Sequence, residues 1–299
     1  MGAIAASIII RTLNEERYIG EVLSEVFSQS QSDIEVLIVD SGSTDSTLEI
    51  VKSFPCRLLS IDRHSFSFGG SLNIGCQEAA GDILVFLSGH CIPLDSDWLR
   101  ALIEPIQSGE VDYCYGAQRG GDASNWGEIC YFFCCFPEHS KIPQVDYFCN
   151  NANAALRKSC WRAFPFDESL TGLEDQFLAK KLQSEGFSVG YQAEAKVWHH
   201  HHENAKQIRN RFEREAIALQ MITPEEAPGI SASIIGAINN VGQDIWVLRE
   251  NGWSFKRICE SIVFRVMQSL GTYRGYHRSR AVTSQDREAY AYIPKDDEL

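Results

Sequence analysis

Three groups of residues have the types and spacing to do chemistry. Glu174-Asp175 sets two carboxylates side by side where a helical pattern begins, with Leu173, Phe177, Leu178 and Leu182 as its apolar stripe. Such carboxylates could take a proton from an attacking hydroxyl, or could simply favour the positive end of a helix dipole. The second group is His199-His200-His201-His202. In an extended segment alternate side chains share a face, so His199 and His201 would point together. That pair could hold a divalent ion, donate directly to a diphosphate, or line a solvated turn. The third group is Asp40-Ser41-Gly42-Ser43-Thr44-Asp45. Here the Asp40 carboxylate could accept from a base or ribose while Gly42 lets the backbone approach closely. Equally, Asp40 and Ser43 could only end a strand and cap a helix. Neither GxGxxG nor a P-loop lysine motif occurs, which argues against dinucleotide oxidoreductases and P-loop NTPases.

The elements that must position these groups alternate over the first ninety residues. Ala6–Arg11 reads as a buried strand, and Asn14 as the cap of a helix with Ile19, Val22, Leu23, Val26 and Phe27 on one face. Glu35–Val39 is a second strand, followed by a turn ending in an N-cap and a helix marked by Leu48 and Val51. Arg57–Ile61, Gly70–Ala80 and Ile83–Leu87 read as strand, helix and strand. This alternation means parallel βαβ units, whose ligands lie at the carboxyl ends of the strands. Three loops fall there: Arg11-Thr12-Leu13-Asn14-Glu15, the Asp40 turn, and Ser88-Gly89-His90-Cys91. Farther on, strands are expected at Asp112–Gln118 and Ala152–Leu156, with a helix from Glu174 to Glu185 stopped by Gly186. Residues 203–222 read as a solvated, charged helix, and Thr223-Pro224 opens a break.

Several of these blocks occur in an order that resembles family 2 glycosyltransferases of the rhamnosyltransferase type. The resemblance rests on Ser7–Glu15, Val39–Asp45, Phe68–Gly75, Gly81–Leu87, Phe164–Glu168, Gly172–Asp175 and Val197–His201. It implies an α/β fold of the GT-A kind: a mixed sheet flanked by helices over 1–222, with a nucleotide half over about 1–92 and an acceptor half over 93–222. A helical C-terminal extension and polar tail over 223–299 would follow. It also implies inverting transfer of one sugar from a UDP- or dTDP-linked donor to a hydroxyl of a saccharide or lipid-linked acceptor, in cell-surface polysaccharide or glycoconjugate assembly. Asp175 corresponds to the family's base, with Glu174 beside it. Thr12, Leu13, Asn14, Glu15, Asp40, Ser41, Ser43, Asn73, Ser88 and Gly89 correspond to the donor pocket. The family usually carries an Asp-x-Asp motif at the end of the fourth strand, where it holds a cation that bridges the donor diphosphate. This chain has Ser88-Gly89-His90 instead. His90 would then join His199 and His201 around a divalent metal, Mn²⁺ or Mg²⁺, with imidazole suiting Mn²⁺ better.

Composition bounds the remaining choices. A net charge of -13 excludes general nucleic-acid binding, which needs a surplus of Lys and Arg. Ten cysteines lie largely within apolar runs and include no CxxC pair, as expected of a reduced protein without an iron–sulfur or zinc site. The start, Met1–Ala6, lacks a basic n-region, and no apolar run reaches the roughly 18 residues needed to span a bilayer. A cytoplasmic location is expected. Lys256, Arg257, Arg265, Arg274 and Arg278 alternate with Phe255, Ile258, Ile262, Val263 and Val266, which suggests peripheral contact with the inner face of the membrane, or packing on the core or a homodimer partner. Trp126, Tyr131, Phe132 and Phe133 read as core or as an acceptor wall. Two rival functions follow from other classes. A sugar-1-phosphate nucleotidyltransferase would need a Gly-rich basic loop after the first strand, where Leu13-Asn14-Glu15-Glu16 is acidic. A non-catalytic nucleotide-sugar binder with a degenerate metal motif is the other.

Overall fold

The computed structural model describes residues 4–63, 66–121, 124–224 and 227–278. Met1–Ala3 and the tail from 283 onward lie outside them. In chain order the first elements are β1 (Ala6–Thr12), α1 (Ile19–Phe27), β2 (Ile34–Asp40), α2 (Thr47–Lys52), β3 (Arg57–Ser60), α3 (Phe68–Glu78), β4 (Ile83–Ser88), β5 (Cys91–Pro93) and α4 (Trp98–Gln107). There follow β6 (Tyr113–Gly120), α5 (Trp126–Cys135), β7 (Asn153–Arg157), α6 (Lys158–Ala163), α7 (Glu174–Ser184), β8 (Val189–His199), α8 (Ala205–Ile222), α9 (Ile230–Asn251) and α10 (Phe255–Tyr276).

The eight strands form one mixed sheet in the order β3-β2-β1-β4-β7-β6-β8-β5. β1 pairs in parallel with β2 and β4, and β2 in parallel with β3. β7 runs antiparallel to both β4 and β6, and β5 antiparallel to β8. The central strands are apolar without alternation because both sheet faces are covered. Ile8 and Ile10 face Ile19, Val22, Leu23 and Val26 of α1, whereas Ile9 faces Gly75 of α3. Each isoleucine so enclosed contributes about 2 kcal/mol relative to exposure.

Two compact units form. The first comprises Met1–Arg119, Phe136–Ser169 and Glu174–His200, and holds nearly all of the sheet. The second comprises Gly120–Cys135, Leu170–Leu173 and the chain from His201. Its core clusters Trp126 and Cys130 with Leu248, and Ile208 and Phe212 with Phe264.

The sequence reading is corrected in three places. Asn14 does not cap α1. It adopts a left-handed φ of 55°, and its Oδ1 accepts from Thr44 N at 2.8 Å, so it ties two loops together while the helix starts at Ile19. Asp45 likewise lies outside α2, accepting from Thr47 N and Glu16 N. The helix expected over 203–222 forms as α8, capped by Asn204, but it is not solvated. Glu213 is buried beside Arg274 and Arg278 of the α10 end, and Arg211 reaches between Glu128 and Glu203. Its charges are paired inside the second unit, which a periodicity count cannot see.

The first unit is closed by Asn153, fully buried at the start of β7. Its amide donates to Ala117 O and Ala195 O, and its Oδ1 accepts from Trp98 Nε1 at 2.9 Å. A Cβ on Gly116 would collide with Ala195 O and with that amide. Gly116→Ala is therefore expected to destabilise the protein by about 2 kcal/mol, read as a lower urea midpoint.

Candidate active site

Register brings the first two loops to the same sheet edge. Thr12 pairs with Asp40 across β1 and β2, and Arg11 pairs with Ser88 across β1 and β4. The Asp40 carboxylate is buried at that edge. Its Oδ2 accepts from Gly42 N and Ser43 N at 2.9 and 3.0 Å, and its Oδ1 accepts from the hydroxyls of Thr12 and Ser43. Four bonds fill the acceptor sites of a carboxylate, so Asp40 holds the two loops as one surface. Ser43 Oγ accepts from Asn14 N, Ser41 N donates to Thr12 O, and Thr47 Oγ1 accepts from Glu15 N. Leu13 is half-buried within this surface.

The third loop adds His90. Gly89 lies so close to Glu15 that a Cβ would stand 2.9 Å from its Cγ. Glu15 Oε1 is 2.9 Å from His90 Nδ1, and His90 Nε2 is 3.1 Å from His199 Nε2. On the far side, His199 Nδ1 lies 2.6 Å from Gln118 Oε1. With each outer nitrogen donating its proton to the oxygen it faces, an Nε2 lone pair on each ring would point at the other. Two lone pairs aimed at each other repel unless a cation or proton stands between them. A nitrogen-accepting divalent ion fits this pair, and the carboxylate and amide behind the rings are the partners that orient metal-ligating imidazoles.

His201 belongs to the second unit and has a different partner. Its Nδ1 lies 2.6 Å from Glu128 Oε1. Burial opposes charge on both groups, but Glu128 outweighs it and raises the His201 pKa. Burial of Glu128 is in turn outweighed by His201 and Arg211, which bring it down to about 2. Glu128, His201 and Glu203 lie close enough together to hold a metal, yet they already enclose a cation: Arg211 Nη2 stands 2.7 Å from each carboxylate.

Glu174 and Asp175 open α7 and are both buried. Asp175 Oδ2 accepts from Asn151 N and Oδ1 from Gln176 N, both at 2.8 Å. Ala152, next along, accepts from Ser88 N, which links the carboxylate to the carboxyl end of β4. Glu174 lies 3.4 Å from Arg11 Nη1, and the same nitrogen donates to Phe68 O. Burial raises the Asp175 pKa to about 7, with the neighbouring Glu174 charge as the second cause; the backbone bonds and Arg11 only partly oppose them.

Other expected residues have internal tasks. Asn73 uses its whole amide on the 161–168 segment, donating to Phe166 O and Glu168 and accepting from Trp161 Nε1 and Phe166 N. Trp126, Tyr131 and Phe132 pack within the second unit, whereas Phe133 is half exposed. Two further side chains stand out, of which only Gln118 escaped the sequence reading. Gln118 Nε2 is buried beside His199 without a partner, and so is Asn151 Nδ2 beside Asp175. An isolated Gln in a strand gives no signal, but the Asn150–Asn153 cluster does.

The family model described as "Glycosyl transferase family 2" matches residues 7–159. The chain is 25% identical over 218 residues to the O-antigen chain rhamnosyltransferase RfbN of Salmonella typhimurium, a match spanning 69% of each. Among solved structures it resembles the mannosyltransferase PcManGT of Pyrobaculum calidifontis in complex with GDP-Man and Mn²⁺, with a TM-score of 0.61, 15% identity, and coverage of 92% of this chain and 88% of that one. It also resembles S. aureus TarS in complex with UDP-GlcNAc, with a TM-score of 0.55, 17% identity, and coverage of 88% and 90%. At such identities these two likenesses bear on the fold.

If the facing imidazoles bind a divalent ion, Mn²⁺ should raise the melting temperature of the wild type and not that of His90→Ala or His199→Ala. Equal shifts in all three proteins would place the ion elsewhere.

Proposed function

Because the chain belongs to glycosyltransferase family 2, we propose that it transfers one sugar, with inversion, from a UDP- or dTDP-linked donor to a hydroxyl of a saccharide or lipid-linked acceptor. The likeness to an O-antigen chain rhamnosyltransferase supports a role in polysaccharide assembly. The observation that carries the mechanism is the buried Asp175, tied through Asn151 and Ala152 to the strand end where the three loops converge.

In this reading the nucleoside lies along Thr12–Glu15 and Asp40–Ser43, where Asp40 keeps the surface rigid. Asp175 removes the acceptor hydroxyl proton as that oxygen bonds to the anomeric carbon, while the bond from that carbon to the diphosphate oxygen breaks. The leaving diphosphate gathers negative charge. A divalent ion held by His90 and His199 would stabilise that charge, Mn²⁺ in preference to Mg²⁺. Glu15 and Gln118 fix the two rings. The buried Asn151 amide stands beside the base as a donor for a sugar or acceptor oxygen.

Burial prepares Asp175 for this task. A carboxylate of ordinary pKa is a weak base at neutral pH, whereas one raised to about 7 holds a proton firmly and is still half ionised there. Glu174 contributes charge from next door, and Arg11 keeps Glu174 in place.

Three outcomes follow. Asp175→Asn should lower kcat by about 10³-fold while the affinity for the nucleotide, read by calorimetry, stays near that of the wild type. Retained turnover would remove Asp175 from the role. For the wild type, kcat/KM should rise as pH increases through about 7, because the protonated carboxyl cannot accept a proton. In Glu174→Gln that limb should move to lower pH, since the removed anion is one of the causes that raise the Asp175 pKa; an unmoved limb would assign it to another group.

A further inference from the structure

The outer surface of the α9–α10 hairpin differs from the rest of this acidic protein. From Ile230 to Gln243, α9 contains no charged residue. Its Ile230, Ile234 and Ile238 are all more than half exposed and recur every four residues, one stripe along the helix, and Trp246 is exposed farther along. On α10, Ile262, Val263, Val266 and Leu270 are exposed to between 41 and 45%. The helices run antiparallel in fixed register: Ser269 Oγ donates to Ser233 O, and Ser261 and Arg265 bind Asp244. At the turn between them, Trp253 is 66% and Phe255 81% exposed. A water-facing helix normally carries charge on its outer side, and apolar exposure on this scale marks an interaction site.

Charge decides the partner. The whole chain has 27 Lys and Arg against 40 Asp and Glu, yet residues 227–278 hold six of the former against three of the latter. Arg249 and Lys256 are exposed on either side of Trp253, with Lys256 only loosely paired to Glu260 at 3.6 Å. Large aliphatics with tryptophans and basic residues at one margin match the acyl boundary and headgroups of an anionic bilayer. Among the described residues no helix is long and apolar enough to cross a membrane, so the contact is with the surface.

We propose that this hairpin face is a docking surface for anionic lipid, into which the α9 isoleucines and Trp253 insert. The inference stands apart from the catalytic reading, because its test measures binding and not turnover. Full-length protein should float with phosphatidylcholine vesicles containing phosphatidylglycerol about tenfold better than with phosphatidylcholine alone, and the difference should shrink as salt rises. The double variant Ile234→Glu/Ile238→Glu should lose flotation while keeping its circular dichroism and nucleotide affinity. Arg249→Gln/Lys256→Gln should lose the preference for anionic vesicles. Absence of flotation, flotation unchanged in the isoleucine variant, or equal binding to both vesicles would overturn the proposal. So would a lipid-free dimer, seen by light scattering, that the isoleucine variant dissolves, since the face would then join two copies of the chain.

Discussion

Parallel pairing of β1 with strands on both sides is the constraint on which the first unit depends. With Thr12 opposite Asp40 and Arg11 opposite Ser88, the strand ends reach one level and their loops must meet. The four bonds of the Asp40 carboxylate then consolidate the contact. A slip of one residue would turn every β1 side chain to the opposite face, taking Ile8 and Ile10 away from α1 and Thr12 away from Asp40. Registration, core packing and loop geometry are thus one condition. The antiparallel β7 completes it, because its chain runs back past the same edge and carries Asn151–Asn153 to the end of β4.

Two buried carboxylates show how surroundings decide chemistry once the fold is set. Glu128 and Asp175 are both enclosed, and burial pushes both toward the neutral acid. For Glu128, His201 and Arg211 lie within hydrogen-bonding distance and reverse the effect, giving about 2. Asp175 has a second carboxylate as its neighbour, and Arg11 reaches only as far as Glu174, so its value stays near 7. The first group is a fixed anion inside an ion network. The second can change its charge near neutral pH, which is the property the proposed base requires.

Much of the fold was legible because strong periodicities coincide with it. The strands ending at Thr12, Asp40 and Ser88 were placed within a residue or two, and the start of α7 was placed at Glu174. What was hidden depends on distance in space. Asn14 looks like a helix cap by type and spacing, but its conformation is set by Thr44, thirty residues away in sequence. The four consecutive histidines gave no hint that His201 would face Glu128. Gln118, which orients His199, sits in a strand where nothing in its sequence surroundings marks it. Asp40 and Asn73 offered polar side chains whose internal partners could not be counted before the chain was folded.

The α9–α10 hairpin of the second unit carries apolar residues on its outer side, and a buried ion pair explains how. Arg265 makes two bonds to Asp244, at 2.8 and 2.9 Å, and Ser261 adds a third contact to that carboxylate. Removing one member of such a pair leaves an uncompensated buried charge, at a cost of roughly 3–5 kcal/mol. This pair and the Ser269–Ser233 bond therefore hold α9 and α10 in a single register. With Asp244 and Arg265 directed inward, the helix positions that remain on the outside are those of Ile234, Ile238, Val266 and Leu270. Polar residues fix the inside of the hairpin, and so they determine which apolar residues its outer face presents.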